Sequence, residues 1–318
     1  MPFSTNFSTI IPLISNARLS PYQNTFATTS DAELYGVYLW SQHAAGALYP
    51  LIQALEVTLR NAIDSAARNR FGDYWWDTID CRVNKNQSEF YKKIEKAKRD
   101  LTKSWERKER VNLGLSSAQP LPQNTVRPTW SHDKIVAATD FSTWQFILNT
   151  DFAYDAAAHQ KNPADFLWPV SLGKAFRKYN QLDAHADNAR VKIVNIVDEL
   201  RNYRNRLFHH EPIWIKDPSV VDPSSAINTI RAKINKLRTL LSVINPSKEK
   251  ILERSGVLLN ARRTCSIQEL NIYVKETSGS FSKRQKKHLR KTLSSINLQS
   301  QTVTIEYAGN LFGLYKIR

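Results

Sequence analysis

Residues 201 to 212 read RNYRNRLFHHEP. Three arginines, three further hydrogen-bonding side chains and two adjacent histidines stand beside an acid and a proline. A helix that is only buried or only solvated has little use for such a density of donors and titratable groups. The chemistry this set suits is phosphodiester cleavage of RNA. A neutral imidazole such as His209 takes a proton from a 2′-hydroxyl or returns one to the leaving 5′-oxygen. A permanently charged guanidinium such as Arg204 holds the non-bridging oxygens and stabilises the doubly charged phosphorane. Asn205 can orient the histidine or the phosphate. The 2′-hydroxyl is an internal nucleophile already close to phosphorus, so the reaction calls for no metal and no other cofactor.

On a regular helix of about 100° per residue, Arg201, Asn205 and His209 share one row. Arg204 lies about 140° from His209, so an ideal helix does not place both in one site. Pro212 disfavours α conformation at Glu211, which should stop the helix at the two histidines. A last turn that loosens there would let His209 swing toward Arg204 or toward a partner subunit. A structural reading stands beside this one. Arginine and histidine near a helix C-terminus also answer the macrodipole and cap free carbonyls, for roughly 0.3 to 1 kcal/mol each.

The elements that must position these residues are mostly helical by pattern. Residues 1 to 30, rich in Ser, Thr and Asn, read as an arm with little regular structure. From Asp31 to about Phe71 the pattern is helical, broken by Pro50, which suits the first turn of a second helix. Leu51, Leu55, Leu59, Ala62, Ile63 and Ala66 give that second helix its core face. Ser88 to Val111 is a highly charged helix, and Pro120, Pro122 and Pro128 make 113 to 129 a loop. Helical pattern resumes over 133 to 150, weakly at 170 to 180, and strongly over 187 to 210, where Ile193, Ile196, Val197, Leu200 and Leu207 are core candidates. Ser224 or Ser225 can cap a further helix that ends at Asn245-Pro246. The expected fold class is therefore mainly α: a helical bundle over 31 to 245.

Residues 246 to 318 differ. They hold 14 Lys and Arg against 5 Asp and Glu, or +9 of the chain's formal +16. The pattern predicts a helix around 266 to 276, a basic helix at 282 to 294 and a hairpin from QTVTIEY and LFGLYKI around AGN. Two helices and a hairpin outline a winged helix-turn-helix; a small α+β extension with a solvated basic face fits equally. In the basic helix Lys283, Arg284, Lys286, Lys287, Arg290 and Lys291 are the candidate phosphate contacts.

A charge of +16 and a pI of about 9.8 point to a polyanionic partner, nucleic acid ahead of membrane, since no lipidation signal or strongly apolar amphipathic face supports a lipid surface. Nine glycines leave little room for a glycine-rich phosphate loop, and neither a GxGxxG nor a Walker motif occurs. Cys81 and Cys265 have neither zinc-type pairing nor a disulfide framework, and no run is long and apolar enough for a bilayer. Residues 1 to 23 lack the features of a signal peptide. A reduced, cytoplasmic protein is expected.

RNYRNRLFHHEPIW resembles the Arg-Asn-x3-His signature of HEPN-domain ribonucleases, and more narrowly the form found in Abi-like (abortive infection, AbiD/AbiF type) proteins. LIQALEVTLRNAIDSAARNRFG, DKIVAATDFSTWQFIL and LWPVSLGKAF are similar to that family's other landmarks, in its order, so the resemblance spans roughly 31 to 245. It implies that Arg204 and His209 are catalytic and Asn205 assists. HEPN domains commonly pair, so the single signature implies a homodimer whose four key side chains come from two helix ends. Arg201, His210 and Glu211 are supporting candidates. Some HEPN toxins carry a tyrosine two residues after the histidine; Glu211 stands there, which argues against neutralisation by modification at that place. The family implies a toxin or antiviral-defence role, with an inhibitory RNA or a protein antitoxin as restraint.

Glu56 and Arg60 form an i,i+4 pair that either braces the site or is a plain helix ion pair. Asp198 and Glu199, adjacent and so about 100° apart, suit pairing with Arg201 and Arg204, or facing solvent, better than a shared metal or acid–base site. His43, His132, His159, His185 and His288 lack metal-ligand spacing. The tryptophans, among them Trp75, Trp76, Trp130, Trp144 and Trp168, read mainly as core anchors. Two rival functions remain: a non-catalytic RNA-binding module on the same basic surface, and a DNA-binding regulator acting through 246 to 318.

Overall fold

The computed structural model describes residues 7–156, 162–214 and 220–274, together with the backbone of two strands at 303–307 and 310–314. The chain is mainly helical and divides into two compact units, residues 41–266 and residues 1–40 with 267–318.

Two short helices, α1 (Ile11–Ile14) and α2 (Asn16–Phe26), replace the expected irregular arm. Leu19 and Tyr22 on α2 are buried, and aromatic pairs hold the segment to α3 (Asp31–Phe71): Tyr22 on Tyr38 at 5.6 Å and Phe26 on Trp40 at 5.7 Å. Aromatic burial here outweighs a polar composition.

α3 runs unbroken through Pro50, where a break is expected from sequence. An interior proline costs about 3 kcal/mol and removes a hydrogen bond to the carbonyl four residues back. Gly46 and Pro50 are both exposed, so the freed carbonyl is not stranded in the core. Leu48, Leu51, Ile52, Leu55 and Leu59 carry a buried stripe across the position.

α4 (Glu89–Asn112) follows, then a helix-free loop to the short helices α5 (His132–Ala138) and α6 (Phe141–Phe146). The single helix expected over 133–150 is split because Asp140 caps α6. Its carboxylate accepts from the Thr143 amide at 3.1 Å and from Ser142, and Lys93 of α4 pairs with it at 2.8 Å. α7 (Leu172–Ala175) precedes α8 (Ala186–Phe208), which carries the RNYRNRLF segment. α9 (Pro223–Ile244) is capped by Asp222 rather than by Ser224 or Ser225, with Pro223 in its first turn and Ser225 completing a capping box.

α8 packs on α6, α7 and α9, and α4 on α5 and α6. α10 (Pro246–Arg254) and α11 (Val257–Thr264) both pack on α9, so the main unit extends past the expected boundary at 245 to residue 266. Its core holds Trp75, Trp76, Trp144 and Trp168, all essentially solvent-free, as expected of anchors.

His132 is a core residue. Its Nδ1 accepts the Tyr74 amide at 2.9 Å, so the ring proton sits on Nε2, 2.9 Å from Asp64, which also accepts from the Trp75 indole at 2.8 Å. Cys81 and Cys265 are free and buried, and burial pushes the Cys265 thiol up to about 12, which makes it inert at neutral pH.

In the smaller unit, α12 (Ile267–Val274) fits the helix expected at 266–276. The expected hairpin is also present: β1 (Val303–Tyr307) pairs antiparallel with β2 (Asn310–Leu314), Val303 opposite Leu314 and Tyr307 opposite Asn310. The basic helix expected at 282–294, with Lys283, Arg284, Lys286, Lys287, Arg290 and Lys291, lies outside the described residues, as does His159. Among the described residues no helix is long and apolar enough to cross a membrane.

Candidate active site

The C-terminal end of α8 does not loosen; it closes. His209 is the C-cap and His210 adopts the left-handed conformation, φ 55°. The His210 amide bonds the Leu207 carbonyl at 3.1 Å and the Glu211 amide bonds that of Arg206 at 3.0 Å. These two bonds define a Schellman motif, which normally favours glycine at the His210 position.

The chain on both sides of the bend is fastened. The Tyr49 hydroxyl of α3 donates to the Leu207 carbonyl at 3.1 Å. Beyond the histidines, the buried Tyr203 hydroxyl donates to the Ile213 carbonyl at 2.8 Å, while Ile213 and Trp214 are sunk in the core. Burial pushes the Tyr203 phenol well above its ordinary value, so it remains a donor. Arg206 reaches the Pro212 and Trp214 carbonyls at 3.3 and 3.2 Å, and its Nε lies 3.6 Å from Glu211. His209, His210 and Glu211 are therefore presented as an exposed bend on a rigid support.

Arg204 sits on the other side of the helix end. Its guanidinium carbon lies 4.3 Å from the centre of the Phe208 ring, one turn on, and its Nε is 3.8 Å from the Glu56 carboxylate of α3. One Nη donates to Asn205 at 3.3 Å, whereas the buried Nε has no hydrogen-bond partner among the described residues. Phe208 is half exposed and meets Tyr49 edge to face at 5.1 Å. The guanidinium is thus held by stacking, one long ion pair through Nε and the Asn205 contact, and its remaining Nη hydrogens have no protein partner among the described residues.

Glu56, Arg204 and Asn205 come together, and Glu211 joins Arg206. Arg60 does not pair with Glu56; it turns to the Asn61 side chain at 3.3 Å, and Glu56 spends its charge across the interface on Arg204. Arg201 is held by Asp198 at 3.2 Å, and Asp198 also accepts from Gln145 at 2.8 Å. Glu199 departs from expectation. It clamps α8 to α9 through Lys233 and Lys236 rather than binding a neighbouring arginine, because those lysines face it from α9.

Within one chain no hydrogen bond or ion pair joins Arg204 to His209 among the described residues, and the His209 side chain makes none there. Tyr49 and Phe208 were not singled out in the sequence. Their signal is spacing: Phe208 is four residues after Arg204, and Tyr49 seven before Glu56 on the same face of α3. Among the described residues no three His, Cys, Asp or Glu side chains converge as a metal-binding group. Compared with protein-family models, curated proteins and solved structures, the chain matches none of them.

Proposed function

We propose that the chain is a metal-independent endoribonuclease of the HEPN, Abi-like type, acting in the cytoplasm as a growth-arresting or antiviral-defence toxin. The observation that carries the reading is the end of α8: an Arg204 guanidinium stacked on Phe208 and held to Glu56 by one 3.8 Å ion pair, on the same helix end as a clamped bend that presents an exposed His209. A neutral His209 takes the 2′-hydroxyl proton as the 2′-oxygen attacks phosphorus. Arg204 neutralises the non-bridging oxygens, and the P–O5′ bond breaks. A protonated His209 returns a proton to the 5′-oxygen, leaving a 2′,3′-cyclic phosphate and a 5′-hydroxyl. Asn205 steadies the Arg204 guanidinium.

The separation of Arg204 from His209 around one helix supports a homodimer in which two helix ends supply a composite site. Incubating the pure protein with tRNA and total RNA in excess EDTA tests the reading: cleavage supports it, and RNA bound normally but left intact refutes it.

The same separation favours a second reading, an RNA-binding module without cleavage. Its mark is a His209→Ala variant with unchanged toxicity and unchanged RNA affinity.

A further inference from the structure

α4 carries a row of cations with no use inside the fold. Lys96, Arg99, Lys103 and Arg107 recur at steps of three and four residues and so lie within an arc of about 80°. All four are exposed, and among the described residues none of their side chains makes an ion pair or hydrogen bond. Their neighbours on the same helix are neutralised: Lys92 by Glu89, Lys98 by Glu95 and Lys93 by Asp140. Asp100 borders the row without coming within ion-pair distance of any of the four. The opposite face, Phe90, Tyr91, Ile94 and Ala97, is buried.

At the C-terminal end of the row Lys103, Arg107 and Arg110 line a cleft of about 290 Å³, with Val111 and Leu115 as apolar wall. Glu106 is its one carboxylate and is engaged twice, by Arg110 at 3.9 Å and Arg127 at 3.1 Å. The Arg110 Nε holds the loop in place through the Gln119 carbonyl at 3.0 Å.

We propose that this face of α4 binds the phosphate backbone of a single-stranded RNA, with one unstacked base seated in the cleft at its end. Cations rising roughly 4.5 to 6 Å per step along a straight rod suit successive phosphates of one strand. An apolar wall beside arginines suits a base face. A lipid surface fits poorly, because an interfacial helix needs its apolar side free and that of α4 is buried in the core. The inference deepens the ribonuclease reading and rests on it for the partner being RNA. It uses none of the residues at the end of α8.

Binding is separated from cutting by using a short 2′-O-methyl RNA, which lacks the attacking hydroxyl. Fluorescence anisotropy with the full chain is followed across a salt series. The variant changes Lys96, Arg99, Lys103 and Arg107 to glutamine; a charge-matched control changes Lys108, Lys178, Lys250 and Arg254. The stripe variant should lose about 3 from the slope of log affinity against log salt. Between 50 and 200 mM salt wild type should then lose about 50-fold more affinity than the variant. The control should keep the wild-type slope. A stripe variant with the wild-type slope, a control that loses as much, or equally tight binding of duplex RNA overturns the proposal. So does binding to phosphatidylserine vesicles at physiological salt without binding to RNA. If ordinary RNA is left uncut while the slope change is seen, the catalytic reading falls and this surface stands.

Discussion

His210 is the residue whose backbone most directly reports how the bend is made. A side chain in the left-handed region costs about 1 to 2 kcal/mol, and glycine returns about half of that as unfolded-chain entropy. His210→Gly should therefore raise stability by about 0.5 to 1 kcal/mol in urea unfolding while RNA cleavage persists. A loss of stability would show that contacts of the His210 ring outweigh its strain. Tyr203 makes the converse case. Phenylalanine there strands the buried Ile213 carbonyl, at a cost of about 1 to 3 kcal/mol. It should also slow cleavage, because the segment after the histidines is no longer pinned. Full activity alongside the stability loss would mean that the bend does not need its anchor. The residue types of this bend were legible from the sequence. Its closed geometry was not, since Pro212 predicts where the helix stops but not that a histidine replaces the usual glycine in the turn.

Among the elements, α6 shows how a single acid decides a boundary. Burial raises the carboxyl pKa of Asp140, but Lys93, Ser142 and the Thr143 amide outweigh it and bring it down to about 2. A depressed carboxyl stabilises the fold above its unfolded value of about 3.9 and loses that contribution as pH falls through the folded value. Asp140→Asn keeps an acceptor for the cap and removes the ion pair. It should cost about 1 kcal/mol at neutral pH, allowing for solvent around a half-exposed pair, and the gap to wild type should close as pH drops from about 4 to 2. A gap that persists at low pH would assign the effect to the cap alone. Sequence pattern located α8 and α9 by an apolar period with a proline after each helix, α4 by its run of charged helix formers, and the terminal hairpin by β-branched and aromatic runs around a turn. It failed at Pro50 and in residues 1–30. In both places tertiary burial, which a local pattern does not carry, overrides propensity: the Leu48 to Leu59 stripe in one, and Tyr22 and Phe26 on α3 in the other.

At the scale of the whole molecule, the two groups assigned to the proposed cleavage sit at one helix end, with no hydrogen bond or ion pair joining them among the described residues. Arg204 is stacked on Phe208 and tied to α3, and His209 stands on the exposed bend. The sequence contained both residues and the angular conflict between them. The fold keeps the conflict rather than resolving it within one chain, and the proposed pairing of two copies would remove it. The cations of α4 would then lead a strand across the same unit, with charge in excess of what the fold itself consumes. The most direct test uses wild type, Arg204→Ala and His209→Ala, each incubated with tRNA and total RNA in excess EDTA, with the product ends mapped. The account predicts discrete cuts by wild type that end in 2′,3′-cyclic phosphate and vanish in both variants. Three proteins that behave alike would contradict it, and RNYRNRLFHHEP would then be a well-capped helix end on a protein that only binds.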